Sequence, residues 1–212
     1  MNRSDVRLGG LGMPRQKPIR AGLLAVLLAT AALTGPAPLR AADGIGVPVI
    51  HLDFIAQPQT LEIEMIPKGS GSENNSFLRM AIPAEGIAAI KTFVVDCVIS
   101  AGGKTCPPTI VGVGIGGTSD LCVALAKRAA TRELGSRCAD PEGAALEAEL
   151  TEAVNQLGVG PQGLGGDSTA FAVQVELAAT HITMNPVAVN MQSHSARRAS
   201  ATFTPQGVAY GF

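Results

Sequence analysis

The segment Thr109-Ile-Val-Gly-Val-Gly-Ile-Gly-Gly117 limits the fold more than any other part of this chain. Seven residues, Thr109 to Ile115, carry no charge and place apolar side chains on both sides of an extended backbone. That pattern suits a central strand buried on both faces. Gly112 and Gly114 lie inside the strand, where they let another backbone or a bulky group approach closely. A dinucleotide fingerprint is a weaker reading. It needs G-x-G-x-x-G at a strand–helix junction, with an acidic residue about 20 positions later.

Further elements are legible around this strand. Val47–Ala56 alternates apolar with other residues, and Leu61–Ile66 repeats that period of two, so the pair reads as an antiparallel hairpin turning at Gln57–Thr60. Lys68–Asn75 reads as a polar, glycine-bearing loop. Pro83 opens a helix over Ala84–Ser100, with Ile87, Ile90, Phe93, Val94 and Cys97 on one face. Thr118 or Ser119 caps a second helix to about Glu133, buried along Leu121, Cys122, Leu125 and Ala129. Pro141–Leu157 is a third helix with an exposed acidic face. Gly158–Gly166 is a glycine-rich turn. Thr169–Ala178, Val187–Met191, Ala199–Thr204 and Val208–Tyr210 read as strands, the last two joined by a hairpin turn at Pro205–Gly207. The expected class is α+β: a mixed, largely antiparallel sheet with flanking helices, in two to three layers.

Composition excludes some functions. A hydrophobic share of 46% against 16% charged residues describes a folded protein. A net charge of −1 and 3% aromatics give no footing for nucleic acid. The N-terminal segment, 1–46, stands apart from the domain expected over 47–212. Arg3, Arg7, Arg15, Lys17 and Arg20 precede the apolar run Ala21–Leu33, and Met1–Ala42 reads either as a secretory signal or as translation from a wrong start or frame. Export follows from the first reading and a cytoplasmic location from the second. The apolar run is short for a membrane span.

The four cysteines, Cys97, Cys106, Cys122 and Cys138, form no C-x-x-C pair and no zinc-finger spacing. Cys106 is the one with chemistry. In Lys104-Thr-Cys-Pro-Pro-Thr109 two prolines stiffen the backbone and remove amide donors beside the sulfur, which suits a metal ligand or nucleophile. The plainer reading is a buried cysteine at a strand entrance. His181 ends a strand and reads as a hydrogen-bonding residue or an acid–base group. Arg197-Arg198, beside His194, solvate a turn, hold a dicarboxylate by paired donors or meet a partner subunit. His51 reads as structural.

Four segments together resemble a known family: Pro67–Asn74, Cys106-Pro-Pro through Thr118, Leu157–Gly166, and Thr180-His181 followed by Pro186–Val189. Their order and spacing are similar to the alpha subunit, or alpha-type domain, of the class I fumarase and L(+)-tartrate dehydratase hydro-lyases. The resemblance implies an iron–sulfur enzyme, in which a 4Fe-4S cluster on three cysteine thiolates activates the hydroxyl of a 2-hydroxy dicarboxylic acid such as malate or tartrate. It implies that Cys106 is one cluster ligand and that Gly69, Gly71, Ser72 and Asn74 belong to a loop meeting a substrate carboxylate. It gives His181 a catalytic or substrate-facing role. It also implies a beta-type subunit as partner, within a homo- or hetero-oligomer. Two departures accompany it: no cysteine precedes Cys97, and Ser193 occupies the position of a further cluster cysteine. A non-catalytic remnant of the same fold, without the cluster, is the alternative.

Overall fold

The computed structural model describes residues 49–52, 55 and 59–211. The segment 1–46, with its signal-like run, lies outside the described residues, as do parts of the strand expected over Val47–Ala56. Two sheets form. The larger has the order β2 (Ser76–Ala81), β5 (Asn185–Gln192), β3 (Thr109–Ile115), β4 (Ala170–Leu177). Its β3–β4 pair is parallel and the others are antiparallel, so the sheet is mixed as expected. The smaller is the antiparallel set β1 (Leu61–Met65), β6 (Ala199–Thr204), β7 (Gly207–Gly211).

The expected hairpin is corrected here. Residues 49–52 carry no strand, and β1 pairs with β6, from Leu61 opposite Phe203 to Met65 opposite Ala199. Period-two alternation identifies a strand without identifying its partner, and a partner 138 positions away leaves no local signal. The β6–β7 hairpin forms at the expected turn.

Helices sit on both faces of the larger sheet. On one face, α2 (Gly86–Ala101) and α4 (Pro141–Asn155) contribute Ile90, Val94, Leu150 and Val154 to a core with Val111, Val113, Val173 and Val189. Asp140 fixes the start of α4 by accepting from the amides of Glu142 at 2.8 Å and Gly143 at 3.1 Å. The other face carries α3 (Ser119–Thr131), whose Cys122 and Ala126 lie on Ala188. A Cβ at Gly112 would stand 2.2 Å from the Ala126 carbonyl and the Ala130 amide, and one at Gly114 would stand 2.2 Å from the Cys122 carbonyl. The helix therefore rests on the strand backbone itself. This is the close approach expected of those glycines, and the visitor is a helix.

Three side chains of α4, four residues apart, stitch that helix to β4. The Val175 amide donates to Glu147 Oε1 at 2.8 Å and the Val173 amide to Thr151 Oγ1 at 2.9 Å. The Thr169 and Ala170 amides both donate to Asn155 Oδ1, at 2.8 and 2.9 Å. Glu147 is thus the exception to the exposed acidic face of this helix: it is 2% exposed. Arg132 answers its charge, donates to the Val175 carbonyl at 3.1 Å and reaches Glu176 at 2.7 Å.

Candidate functional site

Strand direction brings four loops to one end of the larger sheet. β3 and β4 begin there, β5 ends there and β2 starts there. The loops are 67–75, 102–108, 158–169 and 193–198. The Gln162 amide donates to the Pro107 carbonyl at 2.8 Å, and the His194 amide donates to the Cys106 carbonyl at 3.2 Å. Gly103 and Gly163 meet with no room for a Cβ on either, and a Cβ on Gly71 would strike the Lys104 carbonyl at 2.5 Å. Gln192 Nε2 donates to the Pro67 carbonyl at 3.3 Å. Each loop touches at least one other.

Cys106 stands at this junction. It is exposed, so the plainer reading of a buried strand-entrance cysteine fails. Its backbone is left-handed, with φ at 55°, a conformation that costs a non-glycine residue about 1–2 kcal/mol. The conformation is held from both sides, by the Cys106 amide donating to Gly103 at 3.1 Å and by the contact from His194. The Pro107–Pro108 bond that follows is cis. The other thiols differ. Burial, with Asp96 nearby, pushes Cys97 up to about 12, and burial pushes Cys122 up to about 11 despite a hydrogen bond at Ala188. Cys138 is half-buried before α4, where Gly143 leaves room for its sulfur. A thiol-specific reagent is therefore expected to find one rapid site in the native chain, lost in Cys106→Ser. Cys97 and Cys122 react only after denaturation. A rapid phase that survives the substitution would contradict this assignment.

The loop expected to be wholly irregular contains one helical turn, α1 (Ser70–Glu73). A turn this short has no side-chain periodicity to read. It uses much of the loop's hydrogen-bonding capacity internally. The Asn74 amide donates to Ser70 at 2.8 Å, and buried Ser72 Oγ donates to the Gly69 carbonyl at 2.9 Å. Lys68 opens the polar loop, yet its side chain is 13% exposed and lies 3.0 Å from Glu73. Burial holds its ammonium below the ordinary lysine value, although Glu73 pulls the other way. Lys127 of α3 meets the same carboxylate. Burial works against the charge on Glu73, but hydrogen bonds from Lys127 and Lys68 outweigh it and leave its pKa lowered. The one signal in the sequence is a lysine placed directly between Pro67 and the glycines.

His181 lies elsewhere. It follows β4 at the opposite end of the sheet, near Gly117, whose carbonyl accepts from Thr180 Oγ1 at 3.0 Å. Its Nδ1 accepts from the Thr183 amide at 3.2 Å. The seven residues of β3 separate the two ends by about 20 Å. The structure thus gathers Cys106, Ser193 and the Gly69–Asn74 loop, and leaves His181 outside. Arg198 is committed to Glu64 at 2.5 Å and to the Thr131 carbonyl at 2.6 Å, while Arg197 is exposed. The paired-donor reading of the two arginines does not hold.

The family model for fumarate hydratase (Fumerase) matches residues 16–202. The chain belongs to that family. The match takes in most of the N-terminal segment set apart as signal-like. Among individual Fumerase relatives, the chain is 47% identical over 157 residues to the putative L(+)-tartrate dehydratase subunit alpha of Methanocaldococcus jannaschii, covering 74% of this chain and 55% of that protein. It is 36% identical over 155 residues to the L(+)-tartrate dehydratase subunit alpha of Escherichia coli K12, covering 73% and 51%. The chain spans about half the length of the curated relatives it matches.

The donor set decides whether the family's iron–sulfur cluster fits. Among the described residues no group of three or more Cys, His, Asp or Glu side chains converges on a metal position. One exposed thiol lies at the junction, and beside it Ser193 Oγ bonds to Ser195 Oγ at 3.0 Å. A serine hydroxyl is a far poorer partner for iron than a thiolate, which is soft and deprotonates near neutral pH. The residues present do not fit a three-thiolate cluster.

Proposed function

We propose that this chain is the alpha-type part of a hydro-lyase dehydrating a 2-hydroxy dicarboxylic acid, working with a beta-type subunit. The observation that carries this reading is the exposed Cys106, held in a left-handed conformation where four loops of a Fumerase-family domain meet. The names of the relatives support tartrate or a similar acid as substrate and support a partner subunit. In this reading the chain supplies the carboxylate-binding wall, with Lys68 as its cation and the Gly69–Asn74 turn fixing it in place. Lys68 already pairs with Glu73, a carboxylate that Lys127 also meets, so a substrate carboxylate shares this cation and does not find it free. The 4Fe-4S chemistry of the family is not routed through this donor set, which supplies one thiolate. His181, at the far end of the sheet, does not serve the Cys106 site within one chain. Four cysteines without a disulfide suit a reducing compartment, so the location proposed is the cytoplasm.

The test is anaerobic iron and sulfide loading of the chain, alone and with a beta-type subunit, followed by dehydration assays on tartrate and malate. A chain that supplies one thiolate is expected to load far fewer than about four iron and four sulfide per chain, and any turnover gained with the beta-type subunit is expected to be lost in Cys106→Ser. Lys68→Ala is expected to raise KM about tenfold, the loss of one charge-assisted contact, with kcat little changed. A colourless, inactive assembly would reduce the chain to a cluster-free remnant of the fold.

A further inference from the structure

Glu73 is shared between two lysines. Its Oε2 lies 3.0 Å from Lys68 Nζ on the same loop, and its Oε1 accepts from Lys127 Nζ of α3. Lys68 also donates to Ser72 Oγ at 3.2 Å, and that hydroxyl donates to the Gly69 carbonyl at 2.9 Å. These contacts use two of the three hydrogens of the Lys68 ammonium.

The backbone beneath the carboxylate is fixed. The Glu73 amide donates to the Gly69 carbonyl at 3.0 Å, and the Glu73 carbonyl accepts from Ser76 Oγ at 2.8 Å. Ser76 Oγ accepts in turn from Nδ2 of Asn190 at 2.6 Å, and Asn190 is buried in β5. The turn is thus tied to the sheet, and freedom is left to the exposed side chain of Glu73. Its partners can change without the loop unfolding.

We propose that Glu73 is an internal competitor for Lys68, standing in for a substrate carboxylate until one arrives, and that Lys127 eases its release. The proposal rests on the carboxylate-wall role given to Lys68 above. An ammonium with so little access to water needs an anion beside it, and before substrate binds Glu73 is that anion. An arriving carboxylate replaces it like for like, so the charge on Lys68 is never stranded. Glu73 gives up one partner and keeps the other, because its second oxygen is already on Lys127. Without Lys127 the displaced carboxylate would have no cation, and displacing it would cost more. Apparent affinity scales with the fraction of time the binding-competent state is open. Glu73 therefore sets the affinity of the wall, and Lys127 sets how firmly Glu73 holds on.

The test is calorimetric titration of malate into the full chain at low ionic strength, without iron or a beta-type subunit. Glu73→Gln is expected to tighten binding about tenfold, the removal of one charge-assisted competitor. Lys127→Ala is expected to weaken binding about threefold to tenfold, the range of a partly exposed ion pair. In the Glu73→Gln background the same Lys127→Ala change has little further effect, because Lys127 acts through Glu73. Bare loss of a positive charge would instead weaken binding equally in both backgrounds. If Glu73→Gln does not fold by circular dichroism, Glu73→Ala gives the same cycle. The proposal is overturned by a folded Glu73 variant that binds malate no more tightly than wild type. It is also overturned by a Lys127 effect of equal size in both backgrounds, or by wild type and Glu73→Gln alike binding no malate. An assembly without turnover whose malate cycle runs as expected sinks the hydro-lyase reading alone. An active assembly indifferent to Glu73→Gln sinks the competitor alone.

Discussion

Glu147→Leu is expected to lower the unfolding free energy by about 3–5 kcal/mol, read as an earlier denaturant midpoint at constant slope. The carboxylate is 2% exposed and holds three donors: Arg132, the Val175 amide and, at 3.1 Å, the Cys138 amide. Leucine answers none of them. Burial opposes the charge of Arg132, yet the two glutamates beside it raise its pKa on balance. The network therefore favours the ionised arginine, and removing one partner leaves that charge with Glu176 alone at the protein surface. Because the penalty comes from the abandoned charge, Glu147→Leu combined with Arg132→Met recovers part of the loss. A double variant no more stable than Glu147→Leu, or a single-variant cost under about 1 kcal/mol, would show that the two groups are not paired in solution.

Gly112→Ala is expected to be at least as damaging, at or above the roughly 3 kcal/mol upper end of ordinary overpacking. The added methyl would meet three backbone atoms of α3, the Ala126 carbonyl, the Ala130 amide and the Ala130 Cα, at 2.2–2.6 Å. No rotamer change relieves a collision between backbones, so the helix must lift from the sheet. Lifting it exposes Cys122 and Ala126 together with the β5 surface at Ala188. Loss of soluble expression, or a melting temperature lowered by more than about 8 °C, checks the prediction. Gly135→Ala is the control: its Cβ meets nothing within 4 Å, and only its φ of 89° opposes the substitution.

What could be read in advance followed the physics that writes itself into neighbouring residues. The uncharged run of β3, the apolar stripes of α2 and α3 apart from the exposed Ile87 and Leu121, and the Pro-Gln-Gly turn before β7 are local patterns that appear in the structure. The partner of β1 was hidden because register is decided by two stretches far apart in sequence. Glu147 was hidden for a related reason. On a helix rich in glutamate, nothing marks the one whose neighbour across the fold is an arginine, except the four-residue step to Thr151 and Asn155. The candidate site was half legible. The prolines after Cys106 announced a fixed cysteine, and the shared order of four segments announced the family. The distance to His181 required the strand direction, which motif order does not encode. Lys68 needed burial, which no single residue reveals.

The three α4 side chains that bond to β4 also decide how this protein can grow. Pleated layers lengthen when a stranger's backbone finds amides waiting along a rim. Here the rim at Val173 and Val175 is already occupied by Thr151 and Glu147, with Asn155 holding the corner at Ala170. Addition of a further strand is barred on that flank by the side chains already bonded there.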